Sequence, residues 1–194
     1  MMCGRYYVDD DTAREIERVV RRIGEDMKMK AVRDIHPSEA APVILNQNDQ
    51  LAVRMMNWGF PQQQSKGLVI NARAESVADK RMFSSVYSRR CIIPAKHYYE
   101  WDADRNKAVF SRQDNRTLYM AGFYNLMDGL DRFVIITTAA NESVLRVHDR
   151  MPLILAEEDI EDWIFDDCFW KHALKSVPMQ LQRFQQYEQQ SLFL

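Results

Sequence analysis

Cysteine is scarce in this chain. Cys3, Cys91 and Cys168 are the 3 present among 194 residues, an odd number at wide spacings that excludes a disulfide framework and the paired cysteines of a zinc knuckle. A cysteine with a function here must act as a thiol. Also missing is an apolar run of about 18 residues, so no membrane-spanning helix is expected. No basic segment followed by an apolar one opens the sequence, so no signal peptide is expected and the chain is assigned to the cytoplasm. An excess of positive charge is lacking as well. The net charge of -2 excludes a protein that coats nucleic acid by bulk electrostatics, while leaving room for a local basic groove. Walker loop, HExxH helix, GxSxG elbow and dinucleotide-binding glycine fingerprint are all absent, which argues against phosphate-driven and nicotinamide enzymes. No cofactor and no metal site is expected.

What is present is an ordinary globular composition, 46% apolar and 28% charged, read as one domain over residues 1–194. The basic residues comprise 18 arginines and 8 lysines, a bias suited to forked contacts with phosphate or carboxylate and equally to surface ion pairs. Residues 12–30 read as a helix, with Thr12 and Glu15 as a capping box and Ile16, Val19, Val20, Ile23 and Met27 at helical spacing. Short apolar runs at 43–45, 51–56, 68–72, 91–93, 97–101, 108–111, 118–123, 133–138, 153–155 and 179–184 read as strands, with a hairpin turn at 46–50. Residues 141–147, 157–165 and 168–174 read as short helices, 62–67 as a polar loop and 185–190 as a solvated tail. The βαβ alternation of a parallel sheet is missing. The expected class is therefore α+β: one domain of mostly antiparallel strands curled into a barrel or strongly curved sheet, with peripheral helices.

Several polar residues sit where chemistry is possible. Cys3 precedes Gly4 and Arg5. As a first residue it would carry a neutral-capable α-amine beside its thiol, able to form an imine with an aldehyde and close it to a thiazolidine, whereas an internal cysteine cannot. The bland alternative is a small buried hydrophobe in an N-terminal strand. Glu100 lies among aromatics in Tyr98-Tyr99-Glu100-Trp101, where desolvation would make it a proton donor, or else it faces water from a surface strand. His148, beside Asp149 and Arg150, reads as a general acid/base or as a loop-capping histidine. Asn71, Arg73 and Glu75 alternate with apolar residues and should share one strand face, either a site or a solvent edge. Trp58 before Gly59 offers an exposed indole for base stacking or wedging, or a core tryptophan.

Six blocks taken in order carry a resemblance: Met2-Cys3-Gly4-Arg5-Tyr6, Asn57-Trp58-Gly59-Phe60-Pro61, Asn71-Ala72-Arg73-Ala74-Glu75, Arg90-Cys91-Ile92-Ile93-Pro94, Tyr98-Tyr99-Glu100-Trp101 and His148-Asp149-Arg150-Met151-Pro152. Together they resemble the SOS response-associated peptidase (SRAP) family, over the span from Cys3 to about Leu155. The resemblance implies a curved sheet or barrel that binds single-stranded DNA containing abasic sites and links its N-terminal cysteine to the ring-opened aldehyde of the lesion. It implies Cys3, Asn71, Glu100 and His148 as the catalytic set. It implies Arg5, Arg73 and Arg150 on phosphates, Trp58 on bases, and the loop carrying His36, Pro37 and Ser38 at the DNA.

Three departures accompany the resemblance. Met1 and Met2 both precede Cys3, His97 stands where the family favours glycine, and Phe60 where it usually has leucine. Two other functions remain open at this point. One is an autoprocessing thiol peptidase that uses Cys3 and His148 on its own N-terminal residues. The other is a non-catalytic single-strand binding module.

Overall fold

The computed structural model describes residues 4–20, 33–62 and 66–185. The far part of the expected first helix, Cys3, the middle of the 62–67 loop and the tail from 186 lie outside the described residues. In chain order the elements are β1 (Tyr6–Val8), α1 (Asp10–Val19), β2 (Arg33–Ile35), β3 (Ala40–Gln47), β4 (Gln50–Trp58), β5 (Phe60–Pro61), β6 (Leu68–Val69) and β7 (Asn71–Arg73). They continue with β8 (Arg90–Ala95), β9 (His97–Trp101), β10 (Lys107–Ser111), β11 (Leu118–Met127), β12 (Leu130–Ala139), α2 (Glu142–Leu145), β13 (Arg150–Pro152), β14 (Ile154–Leu155), α3 (Ile160–Phe165), α4 (Phe169–Ala173) and β15 (Gln182–Gln185).

Five strands close a barrel. β3 pairs with β4 and β8, β8 with β11, β11 with β12, and β12 returns to β4 in parallel. Two hairpins set this register. Asn48 and Asp49, with φ of 55° and 57°, turn β3 into β4, and Asp128 and Gly129, with φ of 52° and 73°, turn β11 into β12. Both are two-residue turns with left-handed central residues, whose twist matches that of the strands they join. Alternate residues then serve two cores. Cys91, Ile93, Met120, Phe133 and Ile135 belong to one buried cluster, and Ile92, Tyr119, Ala121, Val134 and Ile136 to the other. Burial on both faces is why these strands read as unbroken apolar runs. The second cluster is covered by α1, α3 and α4, through Ile16, Trp163 and Trp170. Gly122 is obligatory where β11 crosses the first cluster: a Cβ there would lie 2.4 Å from Ile93 Cδ1 and 2.6 Å from the Val134 carbonyl oxygen.

A five-stranded sheet, ordered β15-β10-β9-β1-β2, continues the first cluster through Tyr6, Tyr98 and Phe110. β1 is not at its edge. It lies between β9 and β2, with Tyr6 opposite both Tyr98 and Ile35.

The first helix begins earlier than its sequence pattern indicates. Asp9, not Thr12, is its N-cap: Asp9 Oδ1 accepts from the Thr12 backbone N–H at 2.8 Å and from the Thr12 hydroxyl at 2.7 Å. A carboxylate out-competes a hydroxyl for the free N–H groups of a first turn. β1, β2, β5 and β13 are two or three residues long, too short for an alternating pattern to mark them, and they form because neighbouring strands supply the hydrogen bonds.

Candidate functional site

The chain enters the five-stranded sheet almost at once. The Tyr99 N–H donates to the Arg5 carbonyl at 3.0 Å and the Lys96 N–H to the Tyr7 carbonyl at 2.8 Å. Extending the β1–β9 register by two residues sets Gly4 opposite Glu100. A Cβ on Gly4 would meet nothing within 4 Å, so the leading end borders open space. Glu100 points to the same side as Tyr98, toward the first cluster, and is 1% exposed. The surface-strand alternative for Glu100 is thereby excluded.

Asn71 opens β7, which pairs in parallel with β12 so that Asn71 faces Ile135 and Arg73 faces Thr137. Asn71 and Arg73 therefore share a strand face, as their spacing predicts, while Glu75 lies in the turn beyond it. A tie to the leading strand runs through Trp58. Its indole N–H donates to the Ile70 carbonyl at 3.0 Å, and its ring packs against Tyr6 at 5.3 Å.

That geometry corrects the role expected for Trp58. It is 0% exposed and stacked on Phe133, with its one polar atom satisfied, so no base can reach its face. The core alternative holds. Pro37 sits half-buried in a turn pinned to the same tryptophan: the Ser38 N–H donates to the Trp58 carbonyl at 2.8 Å, and the Trp58 N–H to the Glu39 carbonyl at 2.9 Å.

His148 and Arg150 are brought together at the start of β13. The Arg150 guanidinium makes a two-pronged contact with Glu75, at 2.5 and 2.8 Å, and also donates to the Thr137 carbonyl at 2.7 Å. This pairing pulls the Glu75 carboxyl below its usual range. His148 Nδ1 is 3.0 Å from the Arg150 backbone N–H and 2.9 Å from Asp149 Oδ1. The first contact needs an unprotonated Nδ1 and the second a protonated one, so the imidazole is poised between two hydrogen-bonding states. Burial lowers its pKa, against the pull of Asp149, which favours the neutral ring that accepts from Arg150 N–H.

The other candidate cations differ in their surroundings. Arg73 is exposed and has no ion-pair partner among the described residues. Arg5 lies over the rings of Tyr99, 5.9 Å to the centroid, and Trp101, 5.6 Å, with Asp34 at 3.7 Å. Tyr99 in turn donates to Asp34 at 2.8 Å. Asp34 was invisible as a site residue because β2 is a three-residue strand with no apolar rhythm of its own.

Tyr98, Ile70 and Val147, near Glu100, Asn71 and His148 in the chain, all belong to the first apolar cluster. Cys3 lies outside the described residues. Cys91 is 0% exposed, and burial pushes its thiol pKa well up, which removes it as a nucleophile. Among the described residues no group of histidine, cysteine and carboxylate side chains is arranged to hold a metal, and no helix is long and apolar enough to cross a membrane.

Comparison with known proteins identifies relatives of this chain. The sequence model of the SOS response associated peptidase family matches residues 2–191. Abasic site processing protein YedK of Escherichia coli is 28% identical over 89% of this chain and 83% of its own length. YoqW of Bacillus subtilis, also named an abasic site processing protein, is 30% identical over 84% of this chain and 80% of its own. A crystal structure of a Bacteroides thetaiotaomicron protein superposes with a TM-score of 0.78, covering 94% of this chain and 91% of that one at 21% identity. At that identity the match speaks for the fold alone.

Proposed function

Because the chain belongs to the SOS response associated peptidase family, we propose that it processes abasic sites in single-stranded DNA by joining Cys3 to the lesion once Met1 and Met2 are removed. The free α-amine attacks the ring-opened C1′ aldehyde and water leaves, giving an imine. The Cys3 thiol then adds across the C=N bond, its sulfur to carbon and its proton to nitrogen, and closes a thiazolidine. The observation that carries this is the course of β1, which leads the chain start into the middle of a sheet, beside the buried Glu100 and open space.

Glu100 assists opening of the sugar hemiacetal, Asn71 orients the amine, and His148, in its neutral form, moves protons during imine formation. Arg5, Arg73 and Arg150 take phosphates, and Pro37 shapes the loop that borders them. Trp58 supports this site from the core and does not touch DNA. A second, compatible activity has Cys3 and His148 trim the residues that precede Cys3.

The test is to incubate the purified protein with a single strand in which one uracil has been excised, followed by denaturing electrophoresis. A slow-migrating adduct is expected, absent from Cys3→Ser, which keeps the amine but closes the ring poorly. No adduct, with single-strand binding intact, would leave a non-catalytic binding module. Intact mass of wild type and Cys3→Ala reports the trimming: a variant that keeps Met1 and Met2 when wild type loses them supports self-cleavage.

A further inference from the structure

His97 stands where the resembling family favours glycine, and it is built into the seam that holds the leading strand. Its ring stacks on Tyr7 of β1, with centroids 4.7 Å apart and planes 10° from parallel. Its Nε2 is 2.9 Å from the Tyr99 hydroxyl. That hydroxyl donates to Asp34 Oδ1, so the ring must donate from Nε2 to the phenol oxygen. Asp34 Oδ2 faces Arg5 at 3.7 Å, and Arg5 lies on the Tyr99 and Trp101 rings. One directional chain therefore runs His97 to Tyr99 to Asp34, and the carboxylate at its end anchors the guanidinium two residues after Cys3. A glycine at 97 would supply neither the stacking face nor the first donor.

We infer that His97 is a positioning residue for the reaction: through Tyr7 and through the Tyr99–Asp34–Arg5 chain it fixes β1, and with it the approach of the reacting end. It would act so only in a chain that uses Cys3 as proposed above. Protonation disturbs the arrangement because a cation would then be enclosed between Tyr7 and β9. Asp34 on β2 and Asp9 after β1 favour that cation, while burial, Lys107 on β10 and Lys96 before β9 oppose it, and the net direction is toward the neutral ring. The seam should therefore be tight at neutral pH and loosen on acidification.

Two readouts separate the strand from the chemistry. Protection of the Lys96 and Tyr99 amides against hydrogen exchange reports β1 directly, since their partners are the Tyr7 and Arg5 carbonyls. Adduct formation with an abasic single strand reports the reaction. Both are measured from pH 5 to 8.5 on the full chain, for wild type, His97→Gly and His97→Phe. In His97→Gly, protection factors and adduct rate at neutral pH should both fall roughly threefold to tenfold, the weight of one ring–ring contact. His97→Phe keeps the stack but not the donor and cannot titrate, so it should retain the part of the protection that the stack supplies and lose the acid-side decline in protection seen in wild type, while its adduct rate still falls in acid as the α-amine protonates.

An unchanged His97→Gly, or amide protection in His97→Phe that declines with acid as in wild type, overturns the assignment. Lost protection with an unchanged adduct rate overturns it too. If wild type forms no adduct while the amides behave as stated, the chemistry assigned to Cys3 fails and the role of His97 in holding β1 stands.

Discussion

Arg73 and Arg150 both stand against β12, yet their electrostatic states differ, and the difference is measurable. Arg73 is exposed and unpaired among the described residues, whereas Glu75 already neutralises Arg150. Arg73 meeting a phosphate releases its condensed cations without first giving up a partner. A phosphate meeting Arg150 must first exchange with a carboxylate. Arg73→Ala should thus lower the slope of log affinity against log salt for a single strand by about 0.7, Arg150→Ala by less, and Glu75→Gln should tighten binding. Equal losses in both arginine variants would refute the distinction. Trp58→Phe addresses the corrected tryptophan. Removing its N–H takes one of two hydrogen bonds from the Ile70 carbonyl, which keeps the Ile135 N–H at 3.1 Å, and is expected to cost about 0.5–1.5 kcal/mol of stability, with single-strand affinity of the folded protein unchanged. Lost affinity at full stability would return Trp58 to the DNA interface.

At the scale of elements, α3 depends on a residue far from it in sequence. Arg90 on β8, 3% exposed, donates to the carbonyls of Trp163 and Ile164 at 2.5 and 3.1 Å and thereby caps the helix. Replacing it with methionine strands those carbonyls in the interior, so a loss of about 3 kcal/mol or more is expected by denaturant titration. Gly122→Ala tests the barrel wall. Its Cβ would strike a backbone oxygen that cannot yield, and overpacking of this kind costs typically about 1–3 kcal/mol.

These elements also show what was legible beforehand. β9 was read at its full extent, 97–101, and the turn at 46–50 was found because paired Asn and Asp tolerate positive φ. The barrel strands were found because burial on two faces makes continuous apolar runs. β2 is not legible because Arg33-Asp34-Ile35 becomes a strand only when a partner supplies the hydrogen bonds, and the three residues of β1 are too few to show a pattern beyond the N-terminal strand weighed for Cys3. At the site, Asn71, Glu100 and His148 were read from motif order. The Glu75–Arg150 fork and the Asp34–Tyr99 link span 75 and 65 residues, and no local pattern records them.

For the molecule as a whole, pH acts through two histidines. His97 and His148 both have folded pKa values below the ordinary 6.5. Their contribution to stability is therefore complete above about pH 6.5 and is lost as pH falls through the lower folded values. Thermal unfolding midpoints should be flat in this respect from pH 7 to 8 and decline toward pH 5, with a shallower decline in the double variant His97→Phe/His148→Asn. An unaltered slope in that variant would assign the acid sensitivity elsewhere.

The interior place of β1 has a consequence for folding. Tyr6 pairs with Tyr98, so one of the two seams that hold β1 joins segments far apart in the chain. A contact of that span repays its loop-closure entropy only after the intervening barrel strands have ordered. The seam is therefore expected to zip late, so that on refolding the Lys96 and Tyr99 amides gain protection after those of β11 and β12.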